Sequence, residues 1–449
     1  MKHSYFCRGL IAALLVAVTL ATTPLRASIF EPETFTLDNG MQVVLISNQR
    51  APVVRHMVWY KVGSADEAPG ESGIAHLLEH LMFKGTANVE PGVFSQEIAR
   101  NGGRENAFTS YDYTAYFQTI AKDRLDMVMR MEADRMTNLV ITEAQVAPER
   151  QVVLEERRSR VDNRPRAQLG EQVNAAMYLN YPYRRPIIGW EHEIAALDLD
   201  RILAFYKKHY APNNAILIVE GDVTLDELRP LAEKYYGVIP RGPDIQRVRT
   251  TEPPARADRR VTLEHPRATQ ARWGRTYLAP SYNYGAEEHV YALQVLSDVL
   301  DSNGNDRLHK RLVVDAKLAL SAGIFYTPDA YGPGTIGFYA SPREDIAISD
   351  IEAAIEAEIA RLLSDGVTDE EIADAKEQMA NRAIYAKDNF GTAARVFGVT
   401  LTSGGTIEEV ETWLDRINAV TTDDVLAAAK YVFQGRHHVT SELRPKPQS

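Results

Sequence analysis

The sequence predicts an α/β (α+β) protein built from two related domains, and three observations support this fold class. The chain has 449 residues, more than one hydrophobic core ordinarily holds. A helix, a turn and a buried strand follow one another at 198–220, and the same order returns at 422–443. Each half also opens with a strand pattern, near Phe35 and at 259–263. This similarity, at a period of roughly 200 residues, predicts an internal duplication.

The first 28 residues predict a secretory signal peptide. Lys2 and Arg8 form a basic start, an uncharged apolar run follows at 10–21, and the small residue Ala27 precedes a cleavage point at Ser28. The apolar run is shorter than a membrane span requires. An uncleaved N-terminal anchor is the alternative.

A change of composition sets the remaining boundaries. Residues 241–257 are rich in proline and have no hydrophobic period, which predicts a linker. The prediction therefore assigns 29–240 to an N-terminal domain, 241–257 to the linker and 258–449 to a C-terminal domain.

Cysteine content and charge indicate the compartment. The single cysteine, Cys7, lies in the predicted signal peptide, so the mature chain carries no thiol. Removal of that segment takes away three basic residues and changes the formal charge from −11 to −14. This charge disfavours nucleic acids and anionic membranes as partners. We expect a periplasmic or secreted bacterial protein, with no nucleic acid partner and no stable membrane span in the mature chain.

Periodicity and turn residues place the elements in order. Two apolar runs around Asn39-Gly40 predict a hairpin at 35–47. A strand pair is predicted at 106–117, and further strands are predicted at 53–62, 214–220, 259–263, 270–278 and 437–443. Helices are predicted at 72–85, 91–101, 123–138, 198–210, 225–236, 287–301 and 422–433.

The helix at 72–85 carries a candidate metal motif. Ser72 is the predicted N-cap, and Gly85 follows the helix end. His76 and His80 lie four residues apart, so both imidazoles point the same way and suit a transition metal, above all zinc. Glu79 borders that face and could take a proton from water at the metal. This H-x-x-E-H pattern is typical of inverzincin metallopeptidases. The alternative is a solvated helix face with two unrelated histidines.

A catalytic zinc also needs a third protein ligand, expected to be a carboxylate on another element. The segment 148–160 is the candidate, with Pro148 predicted at the first helical position. Glu149 and Glu156 lie seven residues apart and share one face of that helix. Glu155 lies about 100° away on the helix and is expected to face solvent.

The motif and the segment together resemble the pitrilysin, mitochondrial processing peptidase and insulin-degrading enzyme family. Two features support this resemblance. The first is the H-x-x-E-H motif, and the second is Glu156, which lies 76 residues after His80 in an E-R-x-x-V-x-x-E run. The resemblance implies that His76, His80 and Glu156 bind one Zn²⁺ per chain. It implies that Glu149 orients a ligand histidine through a hydrogen bond. It also implies two α/β sandwich domains, each a mostly antiparallel sheet packed with helices.

The resemblance implies a substrate site as well. Asn106-Ala107 is similar to the Asn-Ala of the family's edge strand, to which a peptide adds as a further strand. Asn106 and Ala107 are therefore expected to bind substrate. The alternative is that Asn106 only shapes the turn after Gly102-Gly103.

The C-terminal half contains no H-x-x-E-H. Self-sufficient relatives supply an Arg and a Tyr from this half, where a strand leads into a helix. The matching stretch, 337–350, holds Tyr339 and Arg343, but their order and spacing differ from that pair. We therefore expect a half-size, zinc-bearing subunit whose homologous partner supplies the Arg/Tyr pair. A homodimer is the alternative.

These features predict a zinc-dependent endopeptidase with Glu79 as the general base. The resemblance implies small or unfolded peptides as its substrates. A second hypothesis is a catalytically decayed, zinc-stabilised subunit that binds peptides or supports an assembly. The complete set of His76, Glu79, His80 and Glu156 favours the enzyme.

Overall fold

The computed structural model describes residues 29–301, 307–435 and 437–446. The predicted signal peptide, with Cys7, lies outside the described residues. Among the helices of the described part, none has the length and apolar character needed to cross a membrane.

Eleven strands and fifteen α-helices make up the described ranges. The strands are β1 Glu33–Thr36, β2 Gln42–Ser47, β3 Val53–Tyr60, β4 Arg104–Thr109, β5 Thr114–Ala121, β6 Ala215–Gly221, β7 Arg259–His265, β8 Arg272–Ala279, β9 Ala319–Thr327, β10 Gly334–Pro342 and β11 His438–Pro445. The helices are α1 Ile74–Leu81, α2 Val93–Arg100, α3 Leu125–Asn138, α4 Glu143–Arg157, α5 Pro165–Met177, α6 Glu191–Ala196, α7 Leu199–His209, α8 Leu225–Tyr235, α9 Val290–Leu300, α10 Ile348–Asp365, α11 Asp369–Asp388, α12 Thr392–Thr402, α13 Ile407–Glu411, α14 Trp413–Ala419 and α15 Thr422–Phe433. Two π-helical segments occur at Arg158–Asp162 and His309–Asp315.

The strands form two sheets with the same topology. The first has the order β1-β2-β6-β3-β5-β4, and the second has the order β7-β11-β8-β10-β9. When β1 is left out, the first and the last strands of each sheet in chain order are neighbours. That contact, β2 with β6 or β7 with β11, is parallel, while the other pairs are antiparallel. The predicted α/β fold of two related, mostly antiparallel sheets packed with helices is confirmed.

Each sheet is covered on one face by a helix from the other half of the chain. Helix α12 buries Phe397 and Leu401 in a cluster with Trp59 of the first sheet. Helix α5 places Leu169 and Val173 in a cluster with strands of the second sheet. The opposite faces carry the two large cores, built with each half's own helices. The two halves therefore share their apolar surfaces rather than meeting at a polar boundary.

The stretch predicted as a linker, 241–257, contains neither helix nor strand. It is nevertheless held in place by two arginines whose side chains are 9% and 8% exposed. Arg249 pairs with Asp66 at 2.7 Å and with Asp112 at 3.2 Å. Arg247 donates to the carbonyl oxygen of Thr402 at 2.7 Å, and also to that of Asp112. These contacts tie the segment to both halves of the chain.

Candidate metal centre

Helix α1 carries the histidine motif and is anchored by its apolar side. Ile74, Leu77, Leu78 and Leu81 are fully buried in the core beneath the first sheet. The opposite side of the helix presents His76, Glu79 and His80.

The predicted cap of this helix is wrong. Gly73, not Ser72, is the N-cap, with φ +91°, a conformation that glycine adopts freely. The carboxylate of Glu67 accepts from the backbone N–H of Gly73 at 3.1 Å and of Ala75 at 3.0 Å. Glu67, six residues before the N-cap, therefore satisfies free N–H groups of the first turn. Ser72 instead accepts from the backbone N–H of Trp190.

Helix α4 carries the two predicted acids. Pro148 lies inside this helix, so its predicted place at the first position is wrong. The helix starts after Thr142, because Thr142 and Gln145 form a capping box there. Glu149 and Glu156 still share one face, with side chains only 10% and 17% exposed.

The structure brings the three predicted ligands together. The Nε2 atom of His80 lies 3.3 Å from Oε2 of Glu156, and that of His76 lies 3.7 Å from the same oxygen. One ligand atom from each of the three residues lies within 4.8 Å of the others. Within the described ranges, this is the one group of three or more His, Cys, Asp or Glu side chains with such convergence.

The donor set fits zinc. Two imidazole nitrogens and one carboxylate oxygen are the ligands of many catalytic zinc sites, and zinc–ligand distances of about 2.0–2.2 Å place tetrahedral ligands about 3.4 Å apart. The separations of 3.3 and 3.7 Å are close to that spacing. His76, His80 and Glu156 would therefore hold the ion and leave a position open.

Glu149 lies behind His80. Its Oε1 is 3.0 Å from Nδ1 of His80, and its Oε2 is 2.5 Å from Nζ of Lys84. The Nδ1–H of the imidazole donates to the carboxylate, which directs Nε2 toward Glu156. Exposed Glu155, 69% accessible, points away and pairs with Arg158, as expected.

Glu79 is held by the edge strand of the first sheet. Thr109 on β4 donates from Oγ1 to Oε2 of Glu79 at 2.6 Å. Burial raises the pKa of Glu79, and the hydrogen bond from Thr109 opposes that rise. Glu79 as a residue is 9% exposed. Its carboxyl is held beside the three ligand residues but is not one of them.

The protonation states of the ligands also matter for metal binding. Burial, followed by the charge of His80, lowers the pKa of His76 to about 4. The hydrogen bond with His80 lowers the pKa of Glu156. At His80 burial favours the neutral ring, but hydrogen bonds with Glu156 and Glu149 outweigh burial and raise the pKa. The pKa shifts of His76 and Glu156 favour the deprotonated forms that bind metal, whereas the pKa shift of His80 favours the protonated ring, with which zinc competes.

The predicted substrate residues lie on the free edge of the first sheet. Asn106 and Ala107 belong to β4, which pairs with β5 on one side only. The Oδ1 of Asn106 accepts from the backbone N–H of Ala107 at 2.9 Å. Ala107 packs on the core that contains α1. The strand placement agrees with the expectation, and the roles of both residues in binding stay predictions.

Three residues of the centre were not predicted. Lys84 follows His80 by four residues, and this helical spacing could have suggested its position near Glu149. Arg160 lies 2.8 Å from Oε1 of Glu156, again at a spacing of four. Thr109 comes from another element, and no local pattern marks it.

Two family models match the chain. "Insulinase (Peptidase family M16)" matches residues 42–191, and "Peptidase M16 inactive domain" matches residues 196–379. A curated relative, the zinc protease PqqE of Helicobacter pylori, is 30% identical over 99% of this chain and 100% of its own length.

The chain belongs to peptidase family M16.

Further relatives and solved structures are similar to this chain. An uncharacterised zinc protease of Mycobacterium leprae is 28% identical over 90% of this chain and 89% of its own. The crystal structure of a protease from Helicobacter pylori superposes with a TM-score of 0.86 at 29% identity, over 92% of this chain and 99% of that one. The first half of the periplasmic protease PqqL from Escherichia coli shares the fold, with a TM-score of 0.75 at 21% identity and 92% of each chain covered. The match covers 48% of the PqqL chain in its longer structure.

Proposed function

We propose that this M16 chain is a zinc-dependent endopeptidase that hydrolyses small or unfolded peptides. The observation that carries the proposal is the convergence of His76, His80 and Glu156 within 4.8 Å, with the carboxyl of Glu79 held beside them. The relatives named zinc proteases support the same conclusion.

In this proposal one Zn²⁺ per chain is held by His76, His80 and Glu156, and when bound it supplies the Lewis acidity that activates water and polarises a carbonyl. Glu79 accepts the proton of the attacking water at Oε1 or Oε2 and later delivers it to the leaving amine. Thr109 keeps that carboxyl in place. Glu149 and Lys84 keep the ring of His80 in orientation.

The substrate would bind along β4. This strand has a neighbour on one side only, so its outer backbone groups can pair with an extended peptide. Asn106 and Ala107 would lie beside that peptide. Since Thr109 is on the same strand, substrate binding and the base would be positioned by one element.

We also propose that the carbonyl-binding residues come from a homologous partner chain, with a homodimer as the alternative. Tyr339 lies in β10, and its hydroxyl donates to Asp301 at 3.0 Å within the second half. Arg343 comes directly after that strand. The order and spacing of Tyr339 and Arg343 differ from those of the family's Arg/Tyr pair. The match to 48% of PqqL supports an arrangement of two such units. A periplasmic or secreted location follows from the predicted signal peptide.

A decayed, peptide-binding or assembly subunit is the second candidate. The match of residues 196–379 to the "Peptidase M16 inactive domain" favours it. That match concerns the half without the histidine motif, whereas the ligand group lies in the other half. The enzyme is therefore the better supported function.

The test is hydrolysis of a mixed fluorogenic peptide pool by the purified, zinc-loaded mature chain, with Glu79→Gln as the blank. Turnover above the blank is expected if the chain or its homodimer completes the site. A silent chain that binds about one zinc should gain turnover when its homologous partner is added. Absence of hydrolysis both without and with the partner would favour the catalytically decayed subunit.

A further inference from the structure

A group of arginines extends from Glu156 of the candidate metal centre toward the second sheet. We call it the arginine cluster, and it consists of Arg160, Arg164, Arg166, Arg267 and Arg272. The first four are exposed and Arg272 is half-buried.

Arg160 connects the cluster to the site itself. Its Nη1 lies 2.8 Å from Oε1 of Glu156, while the other oxygen of Glu156 faces the two histidines. The side chain of Arg160 is 68% exposed, so its guanidinium remains accessible at the rim of the centre.

A hydrogen bond places Arg267 beside this region, an electrostatic interaction places Arg272 near Arg166, and Arg164 lies two residues before Arg166 in the chain. Arg267, from the segment between β7 and β8, donates to the side chain of Asn163 at 3.0 Å and to the carbonyl of Asp162 at 3.2 Å. Burial, and then the positive charge of Arg166, lowers the pKa of Arg272. The cluster thus extends from the end of α4 to the second sheet.

Arg160 is the one member of the cluster with a carboxylate partner among the described residues, Glu156 at 2.8 Å. Glu155 pairs with Arg158, and Glu171 pairs with Arg157, as does Asp162 at 3.5 Å. The other four members of the cluster have no carboxylate oxygen within 4 Å among the described residues.

The position of two members also costs stability. Arg164 is the N-cap of α5 and Arg166 lies in its first turn, which has no acidic residue. Positive side chains are unfavourable at the electropositive start of a helix. Helix stability therefore does not explain these arginines, whereas an anionic ligand would be attracted to them.

We propose that the arginine cluster selects peptides with acidic residues beside the bond to be cleaved. This inference rests on the proposed function and names its substrate class. The chain as a whole has a formal charge of −11, or −14 without the predicted signal peptide, and this charge disfavours acidic peptides. The positive charge of the arginine cluster would attract the acidic residues of a peptide to the metal centre and would orient the peptide there.

The test measures binding separately from turnover. The zinc-loaded Glu79→Gln chain is titrated with fluorescent peptides of one core sequence, flanked by glutamates, glutamines or lysines. The glutamate peptide should bind most tightly, and added NaCl should weaken it most. Arg164→Gln/Arg166→Gln should weaken the glutamate peptide about tenfold and leave the glutamine peptide unchanged.

The matched control is Arg124→Gln/Arg130→Gln, which removes the same charge from α3 and the turn before it. It should leave binding of all three peptides unchanged. Equal affinity for the three peptides, no binding of any of them, or equal effects of the two double variants would overturn the proposal. Tighter binding of a single-stranded DNA of the same charge would overturn the assignment to peptides.

Turnover distinguishes this inference from the proposed function. If the chain that retains Glu79 cleaves all three peptides at the same kcat/KM, the proposed selection of acidic peptides is wrong, whereas the proposed peptidase activity is supported. If the glutamate peptide binds selectively but is not cleaved, even with the homologous partner present, the peptidase is wrong and the selection stands.

Discussion

The hydroxyl of Thr109 donates to the carboxylate of Glu79 at 2.6 Å and so joins the edge strand of the first sheet to the helix that carries the histidines. Glu79 is itself buried, and the charges of His80, Glu156 and Arg160 in the metal centre act on it. This bond fixes the base relative to the strand that would bind substrate.

Thr109→Val should therefore reduce kcat/KM about tenfold, because one hydrogen bond to a charged group is lost while the shape is kept. Thr109→Ser should retain most of the activity. The steady-state rates of both variants, with their zinc contents, check this expectation. A valine variant with normal activity would show that Glu79 is positioned without Thr109.

Glu79→Gln should keep the metal and lose essentially all turnover, because the amide cannot accept the proton of the attacking water. His80→Ala should lose both, because a ligand is removed. Metal analysis of the dialysed proteins, alongside peptide hydrolysis, checks the pair. Turnover by Glu79→Gln would assign the base to another residue.

Glu149→Gln should weaken zinc binding about 10–100-fold, because the ring of His80 loses its charged partner. Glu155→Gln is the matched control: it is adjacent to the same ligand, but its side chain is 69% exposed and points to solvent. Competition with a chelator measures both affinities. Equal affinities would show that the contact of 3.0 Å between His80 and Glu149 has no influence on the metal.

Two helical glycines test how the halves are joined. A Cβ on Gly398 of α12 would lie 2.0 Å from the ring of Trp59 in the first sheet, whereas a Cβ on Gly170 of α5 meets nothing within 4 Å. Gly398→Ala should destabilise the protein by about 1–3 kcal/mol through overpacking. Gly170→Ala should stabilise it by up to about 1 kcal/mol through helix propensity. Denaturant unfolding measures both, and similar values would argue against close packing of α12 on the sheet.

His209 should make the protein less stable in mild acid. Burial lowers its pKa to about 4, from 6.5 in an exposed ring. Because the unfolded chain takes up the proton first, stability should fall as the pH drops from 6.5 toward 4, by about 2 kcal/mol at pH 5. His209→Phe should remove this part of the pH dependence, as seen in unfolding curves at pH 7 and 5. An unchanged difference between the two pH values would assign the effect to other groups.

Much of the metal centre could be predicted from the sequence because its residues lie on two helices. The spacing of four between His76 and His80, and of seven between Glu149 and Glu156, depends only on helix geometry. The predicted starts of both helices were wrong. The carboxylate of Glu67 accepts from the N–H of Gly73 at the start of α1, and the capping box at Thr142 starts α4 before Pro148.

The sequence by itself determined the motif, the two-part organisation and most elements with a strong hydrophobic period. Only the tertiary structure decided that α1 and α4 face each other, that Thr109 reaches Glu79, and that α5 and α12 each cover the sheet of the other half. These relationships join residues far apart in the chain. They depend on which apolar surfaces pack together, and local periodicity does not encode that choice.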